Sequence, residues 1–174
     1  MDDSLNYIID LIKKNNIKNM LEIGTGIGFS SINIADKTNI QITTIEKDFN
    51  NFIKAFFNIN KYNQKNNITL INDDACTYNL NNNLKYDLIF IDGPKAHYIE
   101  LFLKYEKLLN KKGIIICDNV FFHNLNKSEV SKRTKRLIEK LEDFKEFIIN
   151  NKNYNTSIVT IGDGLSVSYK KWNI

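Results

Sequence analysis

Residues 20–31 read MLEIGTGIGFSS. A short apolar run reaches Ile23, and glycines follow at 24, 26 and 28 before helical spacing resumes at Phe29. Glycine lets a backbone turn tightly and come close to a ligand. The pattern predicts a strand, a loop and a helix in succession, with the loop either approaching a ligand or serving as an ordinary strand-to-helix turn. The spacing is Gly-x-Gly-x-Gly, and a dinucleotide fingerprint asks for a small residue where Phe29 stands. The loop therefore argues against NAD and favours a ligand with no pyrophosphate to cradle.

Outward from this loop, strand-like and helical runs alternate. One helix over about 4–15 comes first. Strands are expected over 18–23, 41–46, 68–72, 87–91 and 114–117, the last entered through Gly113. Helices are expected over 28–36, 49–63, 96–109 and 128–149. The last of these sets Leu137, Leu141, Phe144 and Ile148 on one side. Asn-rich 79–83 reads as a loop, and TSIVTIGDGLSVSYKK, 156–171, as two strands around a tight turn at Asp163-Gly164. A β-α unit repeated five times and closed by a hairpin means an α/β fold. Its sheet is mostly parallel, with helices on both faces and one antiparallel strand from the hairpin. No linker or repeat divides the chain, so 1–174 is read as one domain.

Composition agrees. The 174 residues are 43% hydrophobic and 25% charged, which suits one soluble domain with a sizeable core. No apolar run approaches the ~20 residues of a membrane span. The opening MDDSLNYIID is acidic and lacks the pattern of a signal peptide. Cys76 and Cys117 lie among apolar or strand residues and are read as reduced core thiols, which places the protein in the cytoplasm. The net charge of +4 is too mild to imply nucleic acid by itself.

Carboxylates stand at the strand ends. Glu46 closes the second strand, 22 residues after Gly24, where an acid can bind both hydroxyls of a ribose. Asp73-Asp74-Ala75 closes the third and could hold an adenine edge. Each acid alone could equally cap a helix. Three consecutive strand ends so equipped are harder to explain as caps, because open parallel sheets bind ligands there. A nucleoside without phosphate is implied, and S-adenosylmethionine fits.

The fourth and fifth strands end in Asp92 and in Asp118-Asn119. Adjacent parallel strands bring such tips together. Two carboxylates and an amide oxygen make a hard oxygen site suited to Mg²⁺ or Ca²⁺ and not to zinc; capping is the competing reading. In FIDGPKAHY, 90–98, the chain's one proline follows Asp92 and aims Lys95 back at this site. An amine beside a cation can accept the proton of a cation-acidified hydroxyl, and the oxyanion then attacks a sulfonium methyl in line. A solvated loop lysine is the alternative. His97 and His123 lack a third partner and are read as surface or substrate-rim residues. Tyr98 and Phe121-Phe122 flank the two acidic segments, either to stack on a flat substrate or as core.

With these residues in place, LEIGTGIGFS, TIEKD, NDDA, FIDGPKAHY and ICDNV, in this order, resemble the metal-dependent, catechol-O-methyltransferase-like class of methyltransferases. The resemblance runs from about Asn19 to the C-terminus. It implies a Rossmann-like class I methyltransferase fold with seven strands. It also implies metal ligands at Asp92, Asp118 and Asn119 (Mg²⁺, with Ca²⁺ or Mn²⁺ as alternatives) and a base at Lys95. The cofactor contacts it implies come from Gly24, Ser30, Glu46, Asp74, Ala75 and Asp92.

SKRTKRLIEKL and NYNTSIVTIGDGLSVSYKK look closer still to one branch, the bacterial tRNA 5-hydroxyuridine methyltransferases, which form 5-methoxyuridine at the wobble position. Both arginines of the chain, Arg133 and Arg136, lie there with Lys132 and Lys135. Such a patch at a helix start suits the phosphates of an anticodon loop and opposes the helix dipole unless an anion is bound; a solvated face is the alternative. Relatives carry further helices before the first strand. The single short one here implies a more open site and puts a dimer built by such helices in question. Gly93-Pro94 replaces two small residues of relatives and is expected to stiffen the Lys95 loop. The readings that compete are the same chemistry on a small catechol or phenol, an NAD-binding oxidoreductase domain, and a catalytically silent tRNA-binding protein.

Overall fold

A computed structural model describes residues 3–81, 83–121 and 131–171. Phe122, His123 and the expected helix start at 128–130 lie outside the described residues. The elements run α1 (Asp3–Lys14), β1 (Asn19–Ile23), α2 (Phe29–Thr38), β2 (Gln41–Glu46), α3 (Phe49–Lys61) and β3 (Ile68–Asn72). There follow β4 (Tyr86–Ile91), α4 (Tyr98–Tyr105), β5 (Leu109–Cys117), α5 (Lys132–Asn150), β6 (Tyr154–Val159) and β7 (Leu165–Lys170). The seven strands form one sheet in the order β3-β2-β1-β4-β5-β7-β6. β1 to β5 pair in parallel, and β7 lies antiparallel between β5 and β6. This is the Rossmann-like methyltransferase fold expected above, with its antiparallel closing strand.

Residues on both faces of the central strands β1 and β4 are buried, because helices cover both faces of the sheet. Neighbouring residues point to opposite layers. Met20, Leu88, Phe90, Ile114 and Ile116 pack with α1, α2 and Ile59 of α3. Leu21, Ile89, Ile91, Ile115 and Cys117 pack with α4 and α5 through Leu101, Phe102, Phe144 and Ile148. Cys76 and Cys117 are free thiols, and burial pushes that of Cys117 up to about 12. No helix among the described residues is long and apolar enough to cross a membrane.

Four expectations change in detail. The described residues of the β3–β4 connection carry no helix, so the β-α unit does not repeat five times. The Asp74 carbonyl accepts from Thr77 N and Tyr78 N and closes only a turn. The helix expected over 96–109 begins and ends as 3-10 turns, Lys95–His97 and Glu106–Leu108, around a shorter α4. β5 starts five residues before Ile114, but regular pairing with β4 begins only there, after a shift in register. The β6–β7 connection is no tight two-residue turn. Val159 pairs with Leu165, leaving 160–164 to cross over. That length has a use: Val120 N donates to Gly164 O (3.0 Å) and Phe121 N to Asp163 O (2.9 Å), tying the connection to the segment after β5.

Candidate active site

The ends of β1 to β5 finish at one level. One further backbone bond extends each ladder past its last rung: Asp73 N to Glu46 O, Gly24 N to Ile45 O, Asp92 N to Ile23 O and Asp118 N to Ile91 O, at 2.9–3.1 Å. The row Asp73, Glu46, Gly24, Asp92, Asp118 is thus fixed by the sheet itself. Gly24 is obligatory in it. Its φ is +96°, and a Cβ there would lie 2.1 Å from the Asp92 carbonyl oxygen.

A cleft of about 580 Å³ opens above this row. Gly24, Ser30, Glu46, Asp74, Ala75 and Asp92, the six expected cofactor contacts, all line it, as do Asp118 and His97. α1 supplies Ser4, Leu5 and Ile8 to the wall, so the single leading helix does cover part of the site. Glu46 is buried, and its oxygens accept from Gly26 N and Asp48 N at 2.7 Å each. A carboxylate oxygen has two lone pairs, so both remain able to accept from ligand hydroxyls. Asp74 accepts from Lys47 Nζ at 2.7 Å, and this ion pair holds its carboxyl below the usual range.

Glu22, the residue before the end of β1, was not singled out above. Its side chain is fully buried and accepts from the hydroxyls of Ser30, Ser31 and Thr44. Thr44 in turn meets Thr25 of the glycine loop at 2.6 Å. Burial raises the Glu22 carboxyl to about 7, against the lowering effect of the three hydroxyls. The network ties β1, β2, the loop and the first turn of α2 to one buried group. Its sequence signal is an acid inside an otherwise apolar strand.

Asp92 and Asn119 meet at the far end of the row, where Asn119 Nδ2 donates to Asp92 Oδ1 at 3.4 Å. Asn119 stands at φ 56°, and its backbone N–H donates to Asp118 Oδ1 at 2.7 Å. Of the three expected ligands, Asp92 and Asn119 are therefore in contact, and Asp92 and Asp118 line the same cleft. No group of three His, Cys, Asp or Glu side chains suited to a metal occurs among the described residues. Tyr98 is core, not a stacking platform: it is 1% exposed, lies edge-on to Phe144, and donates to the Asp118 carbonyl at 2.7 Å.

Lys95 opens the 3-10 turn three residues past Asp92, half-buried. It lines a neighbouring groove with Ile99, Glu100, Lys140 and Asp143, and is not among the residues lining the main cleft. His97 faces the cleft, with Nδ1 2.6 Å from Glu100 Oε2. Lys140 of α5 donates to Ala96 O at 3.0 Å and so fixes this turn against α5.

The O-methyltransferase family model matches residues 2–171. The chain belongs to the O-methyltransferase family. This O-methyltransferase is 30% identical to tapetum-specific methyltransferase 1 of Arabidopsis thaliana, over 96% of the chain and 75% of the relative. It is 25% identical to caffeoyl-CoA O-methyltransferase of Populus kitakamiensis, over 95% and 75%. Among solved structures, a candidate caffeoyl-CoA O-methyltransferase from Staphylococcus aureus superposes with a TM-score of 0.89 and 36% identity, covering 97% of this chain and 83% of that one. The methyltransferase PaMTH1 of Podospora anserina, solved bound to SAH, shares the fold at 22% identity, with a TM-score of 0.82 and 97% and 78% coverage.

In this O-methyltransferase the basic residues Lys132, Arg133, Lys135 and Arg136 are all exposed on the first turns of α5. Ser131 caps that helix by accepting from Thr134 N, and no acid lies in its first turn. Buried on α5 are Ile138, Leu141, Phe144 and Ile148; Leu137, expected with them, is only half-buried.

Proposed function

We propose that this O-methyltransferase moves the methyl group of S-adenosylmethionine to the 5-hydroxyl of uridine at the tRNA wobble position, with a divalent cation at Asp92, Asp118 and Asn119. The observation that carries the chemistry is the single cleft lined by all six cofactor candidates and closed at one end by Asp92 and Asp118. Gly24 and Gly26 allow close approach of the cofactor, Glu46 receives the ribose hydroxyls, and Asp74 and Ala75 border the adenine. The Podospora structure carries SAH in the same fold.

The donor set fits a hard cation, Mg²⁺ first, since two carboxylates and an amide oxygen are all oxygen ligands. When bound there, such a cation acidifies a hydroxyl presented to it and holds it in place. Lys95 takes the hydroxyl proton at Nζ, its flexible four-carbon stem carrying the amine from the neighbouring groove. The substrate oxygen bonds to the methyl carbon as the carbon–sulfur bond breaks, and the sulfur keeps that electron pair. Charge is neutralised in this step, so the remaining task is to hold the two reacting atoms in line.

The tRNA substrate rests on the exposed basic turns of α5. A second reading, a small catechol or phenol as acceptor, draws support from the relatives named caffeoyl-CoA O-methyltransferases. One assay separates them: transfer from labelled S-adenosylmethionine with Mg²⁺ to tRNA bearing 5-hydroxyuridine, to the same tRNA unmodified, and to catechol. Label confined to the hydroxylated tRNA and lost in EDTA is expected. Label mainly in catechol would move the protein to the small-molecule reading.

A further inference from the structure

The outward face of α3 is more aromatic than its inward face. Only Ala55 and Ile59 are buried, whereas Phe49, Phe56 and Phe57 are 62%, 50% and 65% exposed, and Tyr62, just past the helix, 56%. The rings are paired. Phe49 stacks on Phe52 at 6.1 Å and 23°, and Phe56 meets Phe57 edge-on at 5.8 Å. The patch connects to the site. Ile27 and Phe29, themselves half-exposed, line both the main cleft and the groove between α2 and α3 that reaches Asn58 and Tyr62.

Past Asp48, which caps the helix by accepting from Asn51 N, its charge is one-sided. From Phe49 to Asn72 the chain contains Lys54, Lys61 and Lys65 and no Asp or Glu. All three lysines are exposed, and Lys61 Nζ lies 5.6 Å from the Tyr62 ring centroid. The one acid on the connecting groove is Asp36 of α2. Exposed rings interleaved with cations bind single-stranded nucleic acid, since rings stack on bases of any sequence and cations neutralise phosphates. A second copy of the same face would set lysine against lysine, whereas a polyanion gains from these charges.

We propose that the α3 face docks single-stranded RNA. Bases stack on Phe49, Phe56 and Phe57, and Lys54 and Lys61 meet the phosphates. A loop entering the cleft is then gripped on the β2–β3 side as well as by α5. The inference rests on the tRNA reading for the identity of the strand.

Fluorescence anisotropy with a labelled anticodon stem–loop, and with the same stem closed by a minimal loop, tests it. Phe56→Ser with Phe57→Ser should weaken binding of the full loop by roughly tenfold or more, leaving the salt slope unchanged. Lys54→Gln with Lys61→Gln should weaken it and reduce the slope by about 1.4. All four side chains are exposed, so circular dichroism melts should stay near wild type. Wild-type affinity in both double variants overturns the proposal. So does a phenylalanine variant that converts a sedimenting dimer to monomer with RNA affinity intact. The two readings also fail separately. Methylation of catechol alone, with RNA binding still lost in the α3 variants, sinks the substrate and keeps the docking face. Wild-type methylation of tRNA by both variants, across subsaturating tRNA concentrations, does the reverse.

Discussion

Glu22 sits where a strand would ordinarily place an apolar side chain, and its cost depends on pH. Its carboxyl titrates near 4.5 when unfolded and about 7 when folded. Between those values the folded protein keeps a proton that the unfolded chain has released. Stability therefore falls as pH rises through this window and is flat below it. The expected loss is on the order of 3 kcal/mol from pH 4.5 to 7, on top of whatever other groups contribute. Glu22→Gln should remove that component in urea unfolding series, because an uncharged amide cannot titrate. Equal pH slopes for the two proteins would show that Glu22 stays ionised throughout. At Asn119, substitution can part the backbone conformation from the amide proposed above as a ligand. Glycine tolerates its φ of 56° and removes the amide, whereas alanine adds strain of about 1 kcal/mol. Asn119→Gly should therefore keep the wild-type melting temperature and lose Mg²⁺ affinity by calorimetric titration; wild-type affinity would remove the amide from the ligand set. Asp92 and Asp118 were legible in the sequence because an apolar run stops abruptly at each. The role of Glu22 was not, since its partner Thr44 arrives 22 residues later and only the sheet register sets them side by side.

At the scale of elements, the strands were readable because burial on both faces leaves apolar runs such as Leu88–Ile91 and Ile114–Cys117, and Gln41–Glu46 and Ile68–Asn72 also fall where expected. Helix ends were less readable, because tertiary contacts set them. Pro94 accepts from His97 N and starts the chain in a 3-10 turn, and Lys140 of α5 then holds that turn from outside. α5 is thus both the back wall of the Lys95 segment and the carrier of the basic patch. Phe144 anchors it, buried edge-on against Tyr98 and Phe102. Phe144→Ala should cost about 3–5 kcal/mol in chemical denaturation. A loss under 1 kcal/mol would mean that the helix is held elsewhere. Arg133→Gln with Arg136→Gln should leave stability unchanged, weaken tRNA binding and lower its salt slope by up to about 2. An unchanged slope would make these arginines a solvated face.

For the molecule as a whole, the sheet order places the main cleft across β2, β1 and β4 and an acidic corner between β4 and β5. S-adenosylhomocysteine at a hundred times its Kd should stabilise the protein by about 2.7 kcal/mol, a rise in Tm of roughly 5–10 °C for a domain of this size. NADH should produce none. A shift with NADH and none with S-adenosylhomocysteine would reverse the cofactor assignment.

The strand order has a temporal side. β7 leaves the ribosome after every other strand, yet it inserts between β5 and β6, and the connection before it grips Val120 and Phe121. Until Leu165–Lys170 emerges, β5 has one unpaired edge open to other chains, and the segment after Asp118 lacks its anchor. Synthesis therefore completes the β1–β2 half of the cleft well before the acidic corner is anchored. A nascent chain halted in β6 would be an aggregation-prone intermediate with its acidic corner not yet anchored.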